Sequence, residues 1–167
     1  MRKSNETDRI LEWYHQYKNG AYGYIFTFVR NHSDTEDILQ TVFLALLKLG
    51  DKANKIRHPK SYIFRMARNE ALRILKHADK NVGSDSIFLD KQGTSNIDDF
   101  INKNEVQTAL DQLHFDEREI LIMRIYEQMT FREIARVTDR FLPSITTKYY
   151  RALKKLKSFL ERNNENR

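Results

Sequence analysis

The stretch from Asp116 to Lys157 starts a helix, stops it and starts again within a few turns, which constrains the fold more than any other feature. In "FDEREILIMRIYEQM", Asp116 and Glu119 have the spacing of an acidic capping box. In "TFREIARV", Thr130 and Glu133 repeat it with a hydroxyl acceptor. In such a box the first side chain accepts from the amide three residues on, and the second reaches back to the cap amide. The break "DRFLP" ends the second helix, and "SITTKYYRALKKLK" opens a longer one. Start signals this close leave room only for short helices joined by tight turns, the spacing of a helix-turn-helix.

The last helix is one-sided. At about 100° per residue, Ile145, Tyr149, Ala152, Leu153, Leu156 and Leu160 share a face, while Thr147, Arg151, Lys154 and Ser158 lie opposite. A DNA major groove admits one α-helix and is read by side chains near its N-terminus, while cations further along suit phosphates. Thr146, Thr147, Tyr150 and Arg151 are the base-reading candidates; Lys148, Lys154, Lys155 and Lys157 are the phosphate candidates. About five phosphate contacts give a slope of roughly −4 to −5 in log K against log salt. The competing reading, a solvated helix whose lysines only aid solubility, loses ground to the capped helix and compact turn before it.

The first half is helical too. Residues 7–18 and 20–31 read as two helices, and the aromatics of "AYGYIFTFVRN" as core. Ser33 and Glu36 spell another capping box, followed by the stripe Ile38, Leu39, Val42, Phe43 and Leu46. Asp37, Gln40 and Thr41 make a small polar face on that apolar helix, which suits docking to a protein. Asp34, Glu36 and Asp37 as a metal site is the weaker reading, because acids in a first turn are explained by the helix dipole. Pro59 fits the first turn of "PKSYIFRMARNEALRILKH". On that helix Arg65, Arg68, Leu72 and Lys76 lie near one face, with Asn69 and Arg73 beside it; Tyr62 and Phe64 have rings on which exposed bases stack, Phe64 being assigned to the core. Residues 81–103, rich in Gly, Ser, Asn and Asp, read as an acidic linker between a unit at 1–80 and one at 104–167.

Composition agrees with an all-α fold of two small helical domains joined by a flexible linker. Five Gly and two Pro in 167 residues are few chain breakers. A net charge of +6 suits a polyanionic partner. There is no cysteine, which excludes disulfides and cysteine zinc sites and fits a reducing cytoplasmic setting. No apolar run of about 20 residues exists to insert in a membrane, and the mixed-charge N-terminus lacks a signal-peptide core. There is no Gly-rich phosphate loop and no cluster of His, so neither a cofactor nor catalysis is indicated.

The ordered pattern "SDTEDILQTVFLAL…PKSYIFRMARNEALRILK…ALDQLHFDEREILIMRIYEQMTFREIARV…SITTKYYRALKKLK" resembles bacterial RNA polymerase sigma factors of the sigma-70 family, extracytoplasmic-function (ECF) group. The resemblance covers nearly the whole chain. It implies domain 2 at 1–80 and domain 4 at 104–167. In the family a D-x-x-Q-x-x-F helix docks on the clamp helices of the largest polymerase subunit; Asp37, Gln40 and Phe43 match it. Tyr62, Ile63, Met66, Ala67, Arg68 and Asn69 match the helix that helps open the minus-10 element. Ser144, Ile145, Thr146, Thr147, Lys148, Tyr150 and Arg151 occupy the opening of the helix that reads the minus-35 element. Three departures stand out: Tyr62 replaces a usual Trp, Asp139 a usual turn Gly, and Thr146 a common Lys or Arg. The implied partners are core RNA polymerase, promoter DNA and an anti-sigma factor. The alternatives are a helix-turn-helix regulator with no polymerase role, and a nuclease using the Asp34 to Asp37 acids.

Overall fold

The computed structural model describes residues 2–80 and 105–165. The expected linker, 81–103, lies outside them. The regular elements among the described residues are all helical, and they fall into two compact units.

The first unit is built on α1 (Arg2–Val29), one unbroken helix where two were expected. Gly20 does not stop it. Buried positions Ile10, Trp13, Ala21, Tyr24 and Ile25 keep helical spacing across that glycine, so burial on both sides outweighs its backbone cost, about 1 kcal/mol. The helix ends where Arg30 turns left-handed at φ 56° and its amide donates to Phe26 O at 3.0 Å. α2 (His32–Leu49) is capped by Asn31, whose side chain accepts from the Asp34 amide at 2.9 Å. The expected cap at Ser33 is therefore corrected: an equally good acceptor stands two residues earlier, and Ser33 is already helical. Thr35, Ile38, Val42, Phe43 and Leu46 are the buried face of α2. Gly50, at φ 52° and ψ −129°, takes the chain out of α2 through a backbone conformation open to glycine and into a 3-10 helix, Gly50–Lys55. α3 (Pro59–Lys80) opens at Pro59 as expected. Ile63, Phe64, Ala67 and Ala71 are its buried apolar positions, with the Phe64 ring 5.3 Å from that of Tyr24.

The second unit holds most of α4 (Glu105–Asp111), α5 (Phe115–Ile125), α6 (Phe131–Thr138) and α7 (Leu142–Glu165). Its core joins Leu110, Leu113, Leu121 and Ala152, with Tyr149, Leu153 and Leu156 packed against them. Arg118 Nε donates to Leu110 O at 2.9 Å, joining the Leu113 amide, at 3.1 Å, on a carbonyl at the end of α4. The expected box of Asp116 and Glu119 does not form. α5 starts at Phe115, so the residue that reaches back is Glu117, whose Oε2 accepts from the His114 amide at 3.3 Å; Glu119 is buried. The Thr130 box does form: Thr130 Oγ1 accepts from the Glu133 amide at 3.2 Å, and the Thr130 amide donates to Glu133 Oε2 at 2.7 Å. Asp139 closes α6 in the left-handed conformation, φ 55° and ψ 45°, and the Arg140 amide donates to Ala135 O at 3.2 Å. α7 follows at once, so α6, a three-residue turn (139–141) and α7 make the helix-turn-helix.

Candidate nucleic-acid and polymerase interfaces

Helical spacing sorts α7 into two sides. Ile145 and Ala152 are fully buried, while Thr147, Tyr150, Arg151 and Lys154 are exposed, Tyr150 at 63%. Ser144 and Thr146 are half-buried at the edge. The hydroxyls of Thr146 and Thr147 both donate to Pro143 O at 2.9 Å, which spends their protons inside the helix and leaves oxygen lone pairs facing outward as acceptors.

Two of the expected phosphate-contacting cations are held by acids of the same unit. Lys148 Nζ donates to Asp116 Oδ2 at 2.9 Å, and Lys155 Nζ donates to both oxygens of Glu117 at 2.9 Å. Asp116 Oδ1 also accepts from Arg140 Nη2 at 2.7 Å. Burial pushes the Asp116 carboxyl up, but hydrogen bonds from Lys148 and Arg140, with the charges of both, outweigh it and hold the group below its ordinary value. The Glu117 side chain is only 5% exposed, so it needs its cation more than a surface acid would. Lys157 lies 3.8 Å from Glu161 with both side chains exposed, a pair that contributes little.

A contact the sequence reading missed supports Tyr150. Phe131, the first residue of α6, packs edge-on against Tyr149 at 5.2 Å and lies 6.5 Å from Tyr150. The Arg124 guanidinium also lies over Phe131, 4.9 Å from the ring centre, and donates to Met129 O at 2.8 Å. The signal was an aromatic directly after a helix cap, a place where the chain has no packing reason of its own for one.

On α3, Tyr62, Arg65, Asn69, Arg73 and Lys76 are exposed at three- and four-residue spacing, with Arg68 and Leu72 half-buried at the border. Phe64 is fully buried, as expected for a core ring. Arg73 is bound to Glu70 at 2.5 Å, and that hydrogen bond, against a smaller opposing effect of burial, keeps the Glu70 carboxyl below its ordinary value. On α2, Asp37, Gln40 and Thr41 are exposed and Phe43 is buried, with Thr41 Oγ1 donating to Asp37 O at 2.8 Å. Leu44 and Leu47 continue that exposed side. Asp34, Glu36 and Asp37 are all exposed, and no group of three or more His, Asp or Glu among the described residues is placed to hold a metal ion.

The model of Sigma-70 region 2 matches residues 13–81, and that of Sigma-70 region 4 matches residues 103–156. The chain belongs to the sigma-70 family. The sigma factor is similar over 92% of its length to the RNA polymerase sigma factor SigV of Bacillus subtilis, at 28% identity and covering 93% of that protein. It is 25% identical to the ECF RNA polymerase sigma factor SigX of the same organism over 93% of its length, covering 84% of SigX. These likenesses place it in the ECF group. In fold it is similar to the sigma factor RpoE of Bartonella quintana, solved with the anti-sigma factor NepR, with a TM-score of 0.67 at 18% identity, covering 90% of this chain and 97% of that one. It is also similar to CnrH, solved with the cytosolic domain of CnrY, with a TM-score of 0.65 at 15% identity, covering 96% of this chain and 92% of that one. As a sigma factor the chain binds core RNA polymerase and directs promoter-specific transcription initiation. The family is not known for catalysis, and no described helix is long and apolar enough to cross a membrane.

Proposed function

We propose how this sigma factor divides its work among three surfaces. Asp37, Gln40 and Thr41 on α2 dock on the clamp helices of the largest polymerase subunit. The exposed stripe of α3, Tyr62, Arg65, Asn69, Arg73 and Lys76 with Arg68 and Leu72 at its edge, takes the minus-10 element. Ser144, Thr146, Thr147, Tyr150, Arg151 and Lys154 on α7 read the minus-35 element. Residues 1–80 and 104–167 act as the two domains, with 81–103 between them.

The observation that carries this is the two-sided α7: a helix sealed by Ile145 and Ala152 on one side presents a tyrosine, an arginine, a lysine and outward hydroxyl acceptors on the other. That is the equipment for base edges and phosphates in a major groove. The chemistry is binding energy alone, spent on capturing bases as the duplex opens, so the protein acts without catalysis or a cofactor, in the cytoplasm where core polymerase works. An anti-sigma factor is a fitting partner, since the RpoE likeness was solved with one.

The deciding experiment adds the full chain to core RNA polymerase with genomic fragments and sequences the transcripts. Start sites that appear only with this chain, and share two spaced elements, are the expected result. A chain that binds DNA alone yet yields no polymerase-dependent initiation is instead a helix-turn-helix regulator.

A further inference from the structure

Asp116 stands in the first turn of α5, yet both its hydrogen-bonded partners come from the helix-turn-helix, 24 and 32 residues away. Its Oδ1 holds Arg140, which lies in the turn directly after left-handed Asp139. Its Oδ2 holds Lys148, two turns into α7. The neighbouring Glu117 holds Lys155, two turns further along the same edge of α7. Adjacent acids on one helix are thus matched to cations seven residues apart on another. A lone surface ion pair would contribute little. This arrangement does something a lone pair does not: one carboxylate ties the turn and the reading helix to a third element, fixing the angle at which α7 meets its target. It also fills, with a carboxylate, the place on each ammonium that a DNA phosphate would take.

We propose that Asp116 is a positioning residue for minus-35 recognition, which sets the pose of α7 through Arg140 and Lys148 and, together with Glu117 at Lys155, withholds two lysines from the DNA backbone. The proposal rests on α7 being the helix that reads the minus-35 element. It assigns the sequence-specific side to Thr147, Tyr150 and Arg151, and it predicts fewer phosphate contacts than the count of α7 lysines suggests.

The test uses holoenzyme reconstituted from core polymerase and the full chain. Two duplexes are compared across a range of salt: a promoter fragment on which the wild type initiates, and the same fragment with its minus-35 segment scrambled. Asp116→Asn keeps the shape of the side chain but frees Lys148. Its holoenzyme should bind the scrambled duplex more tightly, with a log K against log salt slope steeper by about 0.9, the value of one added phosphate contact. Its preference for the true promoter should fall several-fold. Adding Lys148→Gln to that variant should return the slope to the wild-type value. Lys148→Gln alone should weaken the preference and leave the slope where it was; this variant carries the test if thermal melting shows that Asp116→Asn does not fold. A purely structural role would not steepen the slope. An unchanged or shallower slope in Asp116→Asn overturns the proposal, as does a slope shallower by about 0.9 in Lys148→Gln alone, since that puts Lys148 on a phosphate. A wild-type holoenzyme indifferent to the scramble overturns the reading of α7 itself, a result visible before any variant is made.

Discussion

Asp139 shows how one side chain decides a turn. The helix-turn-helix needs a left-handed residue between α6 and α7, and Asp reaches that region at less cost than most residues because its short polar side chain suits local hydrogen bonding. Its φ of 55° was foreseeable from its place in the sequence, where the family pattern has Gly. Asp116 was not foreseeable. Its spacing to Glu119 suggested a cap, and nothing in the local sequence pointed to partners in the turn and on α7. The difference is one of distance: capping is written within a turn of helix, whereas ion pairs between elements exist only once the elements pack. Because the Asp116 carboxyl is held below its ordinary value near 4, it stabilises the folded unit at any pH above that value. The contribution is lost as pH falls through the lower, folded-state value. Thermal unfolding followed by circular dichroism between about pH 2 and 6 should show the wild-type midpoint falling with acid. Asp116→Asn should begin from a lower midpoint at pH 6 and lose less on acidification; parallel curves would contradict the assignment.

At the scale of elements, periodicity was the reliable guide and boundaries were not. The stripe on α2 and the opening of α3 at Pro59 were legible because burial every three or four residues and a proline at a first turn leave direct marks. Dividing the chain between residues 18 and 20 overlooked the apolar phase that runs through that point from Ile10 to Ile25. The start of α2 was misplaced for a related reason: "NHSD" offers two acceptors, Asn31 and Ser33, and the choice depends on where the preceding chain leaves α1. The exposed positions proposed for docking and DNA contact were legible as polar or charged residues out of phase with each apolar stripe, while the packing of Phe131 near Tyr150 was not, since it joins two helices. Among the caps, Thr130 makes both bonds of its box, one of them at 2.7 Å. Thr130→Ala should destabilise the second unit by about 1 kcal/mol, read as a lower urea midpoint with an unchanged slope. A loss well under half of that would mean water replaces the cap.

For the molecule as a whole, the proposed surfaces lie on separate helices, two in the first unit and one in the second, so their losses should separate. Gln40→Ala should weaken binding to core polymerase, measured by native gel or fluorescence anisotropy, without changing which minus-35 sequences the remaining holoenzyme prefers. Arg151→Ala should do the reverse: full affinity for core, with discrimination at one or two minus-35 positions reduced by about 1–3 kcal/mol. Equal damage to both readouts from either substitution would show that the surfaces do not work independently. The shared carboxylate of Asp116 has a bearing beyond this one protein. Three codons, for Asp116, Arg140 and Lys148, are bound into one electrostatic bargain, so a lineage that drops any one of them strands the other two. Across related genomes those positions should drift in concert, and a natural homologue bearing a neutral residue at the first should be found to have changed its companions as well.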